Sequence, residues 1–264
     1  MPSFQSSQSG GAQIVECTDG IPEMIMVVRR SRTLFTDFIA AQAKRLGLKV
    51  VVNGSFIDLS FGAQIAALAE PTDPDDSKPV GQVIQHEKLL AGTEASGKFS
   101  FAQETCGTKN YSVSLGNPKP TACAAIGGVA PIVVDGLPYG ARNVYRAGAP
   151  ADAPVTGDVD AKLKPFLQQK SNLMFSQLLA RGKTVGKTAV GYSAAQQRLL
   201  VVVQPHGADG PDADRVRTMF VERKIENAVF LDCSDSSTLY FAGRFLVRPG
   251  SHKDHYLSVA VGFR

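Results

Sequence analysis

Residues 24–53, MIMVVRRSRTLFTDFIAAQAKRLGLKVVVN, contain the pattern on which the fold prediction depends. The segment begins with five apolar residues, Met24 to Val28, which is typical of a short buried strand. Apolar residues then recur at steps of three and four until Gly47, which predicts an amphipathic helix that ends at this glycine. A second strand-like run, Lys49 to Val52, follows directly. The order strand, helix, strand therefore favours a βαβ-like opening.

Strand-like segments outnumber helical ones over the rest of the chain. Val185 to Tyr192 and Arg198 to Gln204 are two such runs separated by a short connection, which predicts a hairpin. Because strands dominate and the connections vary in length, we predict an α+β fold, with a mixed β-sheet core and packed helices in a single compact domain.

Length and local composition suggest the domain boundaries. The 264 residues allow one large or two small domains. Residues 1–20 are rich in Ser, Gln and Gly, which predicts a flexible N-terminal segment. Residues 21–264 then form the domain, with an insertion predicted near 147–160, where the sequence AGAPADAPVTGDVD is rich in Ala, Pro, Gly and Asp.

The charge balance and the hydropathy exclude two classes of partner. The chain carries 28 Lys and Arg against 24 Asp and Glu, a formal net charge of +4 that is spread along the sequence. A protein that binds a nucleic-acid duplex would carry a clustered basic stripe, so we expect no such partner. No apolar run reaches the roughly 18–20 residues that a membrane span needs. The polar N-terminus lacks the pattern of a secretory leader, which predicts a cytoplasmic protein, or a secreted one if a leader has been removed.

The four cysteines, Cys17, Cys106, Cys123 and Cys233, are too few and too scattered for a disulfide framework. None of them forms a CxxC pair, so the sequence does not predict a zinc knuckle. One or two disulfides remain open at this stage.

Asp232 follows four apolar residues, Ala228 to Leu231, and precedes a loop of hydroxyl and acidic side chains. Burying a carboxylate costs several kcal/mol unless it is hydrogen-bonded or paired, and the next six residues can supply those bonds. A structural turn that ends the strand and a functional site both fit this pattern. The stretch Val50 to Asp58 has the same form, because a buried strand there also runs into a Gly turn and an acid.

The histidines and the standard catalytic motifs add one candidate. His206 follows an apolar run and is the histidine favoured as a functional residue. His252 and His255 are three residues apart, and a surface turn explains them better than a metal pair. No P-loop, GxGxxG, HExxH or GxSxG sequence occurs, so the chemistries that these motifs carry are not predicted.

Five segments, taken in order over residues 24–262, resemble the phosphodiester glycosidase family. They are NGSFID at 53–58, where the family has NGGFFD; GVAPIVVDG at 128–136; KTAVG at 187–191; LDCSDSSTL at 231–239, where the family has LDGGGSSTL; and Ala242-Gly243-Arg244 followed by Arg248-Pro249. The chain departs from the family pattern where Ser55, Cys233, Ser234 and Asp235 replace glycines, Lys187 replaces an arginine and His206 replaces an aspartate. Glycine permits close backbone approach to a ligand, so three replacements in one loop predict a changed backbone or a changed substrate.

The resemblance implies a hydrolase, namely a glycosidase that cleaves the bond between a sugar anomeric carbon and a phosphodiester. Asp232 would supply the carboxylate beside an oxocarbenium-like centre, with Asp58 as its partner or positioner. His206 would act as an acid or a base near neutral pH. Nine residues would hold the sugar and the phosphate: Asn53, Gly54, Phe56, Lys187, Thr188, Ser236, Ser237, Thr238 and Arg248. A cytoplasmic location would favour a sugar-phosphate or nucleotide-type substrate.

Two other interpretations stay open. The altered glycine loop also fits a degenerate family member that binds and sequesters a sugar phosphate or nucleotide without cleaving it, and a structural or interaction module is the third interpretation. No cofactor is required with certainty, although Asp58, Asp232 and Asp235 could bind a divalent cation through their oxygens. We expect a phosphate-containing small molecule or glycan as the partner, and the sequence leaves the oligomeric state open.

Overall fold

The computed structural model describes residues 2–55, 57–59, 70–71, 73, 77–92, 99–138 and 183–264, with residues 57–59 described by their backbone. The insertion predicted near 147–160, the residue Phe56 and the side chain of Asp58 lie outside the described residues. Among the helices of this part of the chain, none is long and apolar enough to cross a membrane.

Strands make up most of the regular structure in the described residues. In chain order they are β1 Ser3–Ser9, β2 Ala12–Asp19, β3 Met24–Val28, β4 Val50–Asn53, β5 Ile57–Leu59, β6 Ser77–Pro79, β7 Val83–Gln85, β8 Lys88–Ala91, β9 Phe99–Gln103, β10 Tyr111–Leu115, β11 Ala124–Val134, β12 Leu137–Pro138, β13 Lys187–Ser193, β14 Arg198–Gln204, β15 Asn227–Phe230, β16 Leu239–Phe241, β17 Arg244–Val247 and β18 Val259–Phe263. The helices are α1 Phe35–Leu46, α2 Ala213–Glu222 and α3 Ser251–Tyr256, and a 3-10 turn spans Ser234–Ser236.

The strands form two main sheets and a small ribbon. The large sheet has 11 strands, of which eight follow the order β1-β2-β14-β13-β15-β11-β7-β8. Of the other three, β9 and β12 pair with β11, and β10 pairs with β9. The small sheet has 5 strands in the order β17-β16-β4-β18-β3, and β5 pairs with β6. The predicted hairpin of β13 and β14 is confirmed, with Lys187 opposite Gln204.

The two main sheets pack face to face. Val190 and Tyr192 on β13 belong to the same buried cluster as Val50 and Val52 on β4. Because successive side chains of a strand point to opposite faces, the residues between them face outward. Each sheet therefore contributes one apolar face to a shared core, as in a β-sandwich.

A helix covers the outer face of each sheet. On the small sheet, Phe35 and Ile39 of α1 pack in one cluster with Val51. On the large sheet, Val216 and Phe220 of α2 pack in another cluster that includes β13 and β15 residues. The layers are thus helix, sheet, sheet and helix, with the helices outside the main core.

The predicted α+β class, in which a mixed sheet packed with helices forms the core after a βαβ-like opening, is wrong, because the main core lies between two sheets and the few short helices lie outside it. The described residues form a mostly β structure whose sheets are antiparallel. β3 and β4 flank α1 in sequence, but β18 lies between them and pairs with both. This strand comes from the far end of the chain, so local periodicity could not reveal it. The helix itself is confirmed, since α1 ends at Gly47, whose φ is 69°.

Residues 3–19 form the β1–β2 hairpin at one edge of the large sheet, although their composition predicts a flexible segment. β1 is largely exposed, as a Ser/Gln sequence would be. β2 instead buries Ile14, Val15 and Cys17 and pairs with β14, so its apolar side chains hold the hairpin in the sheet.

The four cysteines form one disulfide and two free thiols, whereas the sequence allows one or two disulfides. Cys106 in the β9–β10 turn is bonded to Cys123 at the start of β11, and 17 positions separate them. Cys17 and Cys233 are free and buried. The disulfide therefore joins a surface turn to the central strand of the large sheet.

Candidate functional site

Asn53, the last residue of β4, connects the two sheets through its side-chain amide. It is fully buried, its Oδ1 accepts from Thr188 Oγ1 at 2.8 Å and from Thr238 N at 3.0 Å, and its Nδ2 donates to Asp232 O at 2.7 Å. Thr188 belongs to the large sheet, whereas Thr238 leads into the small one. One amide therefore fixes the ends of strands from both sheets relative to one another.

Gly54 brings the backbones into closer contact at the same place. Its N–H donates to Val259 O at 2.7 Å, and its carbonyl accepts from Asp232 N at 2.9 Å. A Cβ at this position would lie 2.8 Å from Val259 O, so a larger residue would push the strands apart. The glycine is thus required by a close approach that sets Asp232 beside the start of β18.

Asp232 follows β15 and lies at this junction, partly accessible to solvent. Desolvation by the surrounding protein raises its pKa to about 6, and the negative charge of Asp235 acts in the same direction. The positive charge of Lys253, the hydroxyl of Ser236 and the N–H of Cys233 lower the pKa in part. The group therefore changes protonation near neutral pH, which suits an acid or base in catalysis.

Helix α3 supplies the positive charge of the site. Lys253 Nζ lies 3.4 Å from Asp235 Oδ1, and His252 Nε2 lies 2.6 Å from Asp235 Oδ2. Burial disfavours the Lys253 ammonium, but Asp232, the hydroxyl of Tyr256 and Asp235 together raise the pKa of Lys253. Lys253 therefore remains a cation that pairs with Asp235 and lies within electrostatic reach of Asp232.

Contacts at both ends hold α3 in place. Asp254 accepts hydrogen bonds from Thr36 N at 2.7 Å and from Thr36 Oγ1 at 2.8 Å, at the start of α1. Gly250 N donates to Asp235 O at 2.7 Å. The pattern SHKDH was interpreted as a surface turn, so sequence reasoning missed Lys253 and His252. The position of this segment in the sequence could have indicated a role in the site, because it directly precedes β18, whose Ala260 pairs with Asn53.

His206 lies at the rim of the loop that follows Asp232. It is exposed, and its Nδ1 accepts from Gly186 N at 3.3 Å and lies 3.4 Å from Ser234 Oγ. Ser234 has a φ of 62°, and its N–H donates to Gly186 O at 2.8 Å. A Cβ on Gly186 would lie 2.1 Å from Ser234 O, so this glycine allows the loop to close over the β13 strand.

The hydroxyls of the loop are buried. Thr238 Oγ1 donates to Ser236 O at 2.9 Å, and this bond tightens the turn before β16. Among the described residues, no hydrogen-bond partner lies within reach of Ser55 Oγ or Ser237 Oγ. A buried hydroxyl without a partner costs about 1–3 kcal/mol, and such groups are more typical of functional sites than of ordinary cores.

Two residues predicted to bind phosphate, Lys187 and Arg248, make contacts with other parts of the protein. Lys187 is fully buried on the α2 side of β13, and its Nζ donates to Val185 O at 2.8 Å and to Gln204 Oε1 at 2.9 Å. Desolvation lowers the pKa of Lys187. Arg248 is exposed, with its guanidinium carbon 4.4 Å from the centre of the Phe245 ring. The role of both residues in phosphate binding stays a prediction.

Cys233 and Asp58 are placed by two different strands, β15 and β5. Cys233, which stands where the resembling family has glycine, points its side chain into the core under α2, and burial raises its thiol pKa to about 12. The backbone of Asp58 lies in β5, opposite Lys78 of β6. The structure thus brings together Asn53, Gly54, Thr188, Asp232, Ser236, Ser237 and Thr238, with His206 at the rim.

No protein-family model matches this chain, and no curated protein sequence matches it either. Its fold is similar to the catalytic domain of zebrafish N-acetylglucosamine-1-phosphodiester alpha-N-acetylglucosaminidase, in a structure auto-inhibited by the pro-peptide, with a TM-score of 0.57 and 15% identity over 100% of this chain and 81% of that domain. A hypothetical protein from Synechocystis matches with a TM-score of 0.49 and 10% identity over 99% of this chain and 61% of its own. The chain therefore shares its fold with a glycosidase catalytic domain.

Proposed function

We propose that this protein is a hydrolase that cleaves the bond between a sugar anomeric carbon and a phosphate group. The observation that carries the proposal is the position of Asp232: its partly accessible carboxyl follows β15 at the junction of the two sheets, within electrostatic reach of the Lys253 ammonium. Burial also raises the pKa of this carboxyl to about 6. The shared fold with a phosphodiester glycosidase domain supports it. The proposed reaction needs neither a GxSxG nucleophile motif nor an HExxH metal motif, which the sequence lacks.

The proposed mechanism divides the work between the two charged groups. A phosphate is a good leaving group, so charge stabilisation matters more than proton donation when the glycosidic bond breaks. Lys253 would pair with the phosphate oxygens, and Asp232 would face the anomeric carbon, either as the nucleophile or as the base for water. His206, exposed beside Ser234, would exchange protons at the rim.

The remaining predicted residues take positioning roles in this proposal. Asn53 and Thr188 would hold the Asp232 backbone, while Gly54, Ser236, Ser237 and Thr238 would lie beside the sugar. Phe56 as a binding residue and Asp58 as the partner or positioner of Asp232 stay predictions. Lys253 would replace Lys187 and Arg248 as the main phosphate-binding cation. A divalent cation remains a proposal, and Lys253 already supplies positive charge beside Asp235 and within electrostatic reach of Asp232.

The second candidate function is capture of a sugar phosphate or nucleotide without cleavage. One observation favours it: Asp235, which replaces a glycine of the resembling family, pairs with both His252 and Lys253. This carboxylate competes with a substrate phosphate for the cation. It would weaken the stabilisation of the leaving group more than the binding of the sugar.

A substrate panel distinguishes the two candidates. Sugar-1-phosphodiesters, sugar-1-phosphates and nucleotide sugars are incubated with the protein, with and without a chelator, and free sugar is measured. We expect turnover that falls at least about 1,000-fold in Asp232→Asn, and that is unchanged in Asp209→Asn, an exposed matched control. A folded Asp232→Asn variant with full activity would contradict the proposed role. Bound ligand recovered intact after long incubation would favour capture.

A further inference from the structure

Three soft ligand side chains converge on the large sheet, outside the site described above. His86 lies in the β7–β8 turn, Cys106 in the β9–β10 turn and Cys123 just before β11. His86 Nδ1 is 3.6 Å from Cys106 Sγ and 3.9 Å from Cys123 Sγ. All three ligand atoms lie within 4.8 Å of one another. The proposed hydrolysis uses none of them.

The backbone holds His86 over the two sulfurs. The N–H of His86 donates to Cys123 O at 2.6 Å, and that of Glu87 donates to Ala122 O at 3.2 Å. Both turn residues have positive φ, 49° for His86 and 60° for Glu87. A two-residue hairpin turn of this kind needs positive φ at both positions, and histidine is among the side-chain-bearing residues that are enriched in this conformation. The turn and its two backbone hydrogen bonds therefore fix the position of the imidazole over the sulfurs.

The distances fit a tetrahedral zinc ion. Zn–S bonds of about 2.3 Å and Zn–N bonds of about 2.0–2.1 Å place a bound nitrogen and sulfur about 3.6 Å apart, and two bound sulfurs about 3.8 Å apart. His86 Nδ1 is already at nearly this separation from both sulfurs. Once the disulfide is reduced, its sulfurs need to separate by only about 2 Å from their bonded distance, which side-chain rotation can supply.

We propose that the reduced protein binds one Zn²⁺ through His86 Nδ1 and the thiolates of Cys106 and Cys123, with water as the fourth ligand, and that oxidation to the disulfide releases the metal. Reduction by a dithiol transfers two electrons and two protons to the disulfide and leaves two thiols. Zinc binding then displaces the two thiol protons. A peroxide reverses the process, because the two thiolates lose two electrons to form the S–S bond, while the peroxide takes two protons and becomes two waters.

The site is open to both reagents. His86 and Cys106 are exposed, whereas Cys123 is buried and anchors the site in the sheet. The neighbouring cavity of about 560 Å³ is lined by His86, Glu87, Cys106 and Cys123. Of the two carboxylates in this cavity, that of Glu104 lies 3.4 Å from Lys119 Nζ, and that of Glu87 is outside the group of ligand atoms within 4.8 Å of one another. Water is therefore the simplest fourth ligand.

The test is metal binding to the full-length protein in each redox state. Protein reduced with a phosphine, then freed of it, is titrated with Co²⁺ and with Zn²⁺. We expect one ion per chain and a thiolate-to-cobalt charge-transfer band, and no binding at these residues in the disulfide form. Cys106→Ser, Cys123→Ser and His86→Asn should each weaken zinc binding by about 100-fold or more. Asn tolerates positive φ, so His86→Asn keeps the turn and removes the imidazole.

Cys17→Ala is the matched control, because Cys17 is a buried thiol outside the cluster and its loss should leave the stoichiometry at one. One equivalent of hydrogen peroxide should release the zinc to a chromophoric chelator within the same titration. The proposal is overturned if the reduced protein binds no zinc, if the ion persists in Cys106→Ser and Cys123→Ser, or if the disulfide form binds it equally well.

Discussion

Asp232 is the residue that should couple folding to pH most directly. Its pKa is about 6 in the folded protein against 3.8 for the free group, so the folded state binds the proton more tightly than the unfolded state does. The contribution of Asp232 to the free energy of unfolding is therefore most favourable below pH 3.8, and it decreases as the pH rises from about 4 to about 6. Above this range the ionised carboxylate costs about 2–3 kcal/mol.

We accordingly expect Asp232→Asn to be more stable than the parent protein by about 2–3 kcal/mol at pH 8 and equal to it near pH 4. Urea unfolding of both proteins across this range measures the difference, and effects of other titrating groups cancel in it. A difference that stays constant with pH would mean that the folded protein does not perturb this carboxyl.

Asn53 is the second residue whose replacement has a defined consequence. Asn53→Ala removes three hydrogen bonds and leaves Thr238 N–H and Asp232 C=O buried without that partner. We expect a loss of about 3 kcal/mol or more in the free energy of unfolding. Thr188→Val, which removes one of the three bonds without changing the shape, should cost about 1 kcal/mol. Equal losses for the two variants in urea unfolding would argue against the connecting role of Asn53.

At the scale of elements, helix α1 has no side-chain cap of its own, because Leu34 stands at its N-cap position. Asp254 of α3 caps it from outside by accepting from Thr36. Asp254→Ala should therefore cost about 1–2 kcal/mol and also release α3, so that amide exchange of Leu257 becomes faster. Asp37→Ala, on the exposed side of the same first turn, should cost less than about 1 kcal/mol and leave that exchange unchanged. Normal Leu257 exchange in Asp254→Ala would show that α3 is held by other contacts.

Local elements could be predicted from the sequence, whereas their pairing could not. Gly47 marked the end of α1, and the alternation of apolar residues marked β13 and β14, because these signals lie within single segments. The position of β18 between β3 and β4 depends on a contact across most of the chain. The same limit applies to the site: Asn53 and Asp232 end buried strands and were found, but Lys253 reaches Asp232 only because β18 brings α3 there.

At the scale of the whole molecule, the apolar core and the polar candidate site lie in different parts of the fold. The apolar faces of the two sheets form the core, and the polar groups collect at one end, where Asn53 bonds to strands from both sheets. A rigid sandwich of this kind can carry a partly buried carboxylate, and the two hydroxyls that lack a partner among the described residues, at its end without losing its core. The loop after Asp232 is accommodated in the same way, since Cys233 faces the α2 core and Asp235 pairs with α3.

The disulfide between Cys106 and Cys123 acts on the stability of the entire chain, because it constrains the unfolded state. Closing a loop over 17 positions should contribute about 3 kcal/mol. Reduction in the presence of a chelator should therefore lower the urea midpoint of the parent protein and of Cys17→Ala equally, and leave the double variant Cys106→Ala, Cys123→Ala unaffected. Zinc added to the reduced protein at about 100 times its dissociation constant should restore about 2.7 kcal/mol, since it binds the folded state alone. An unchanged midpoint after reduction would contradict this prediction. It would show that the β9–β10 hairpin holds the turn at Cys106 without the disulfide, so that the two thiols could bind a metal with no loss of stability.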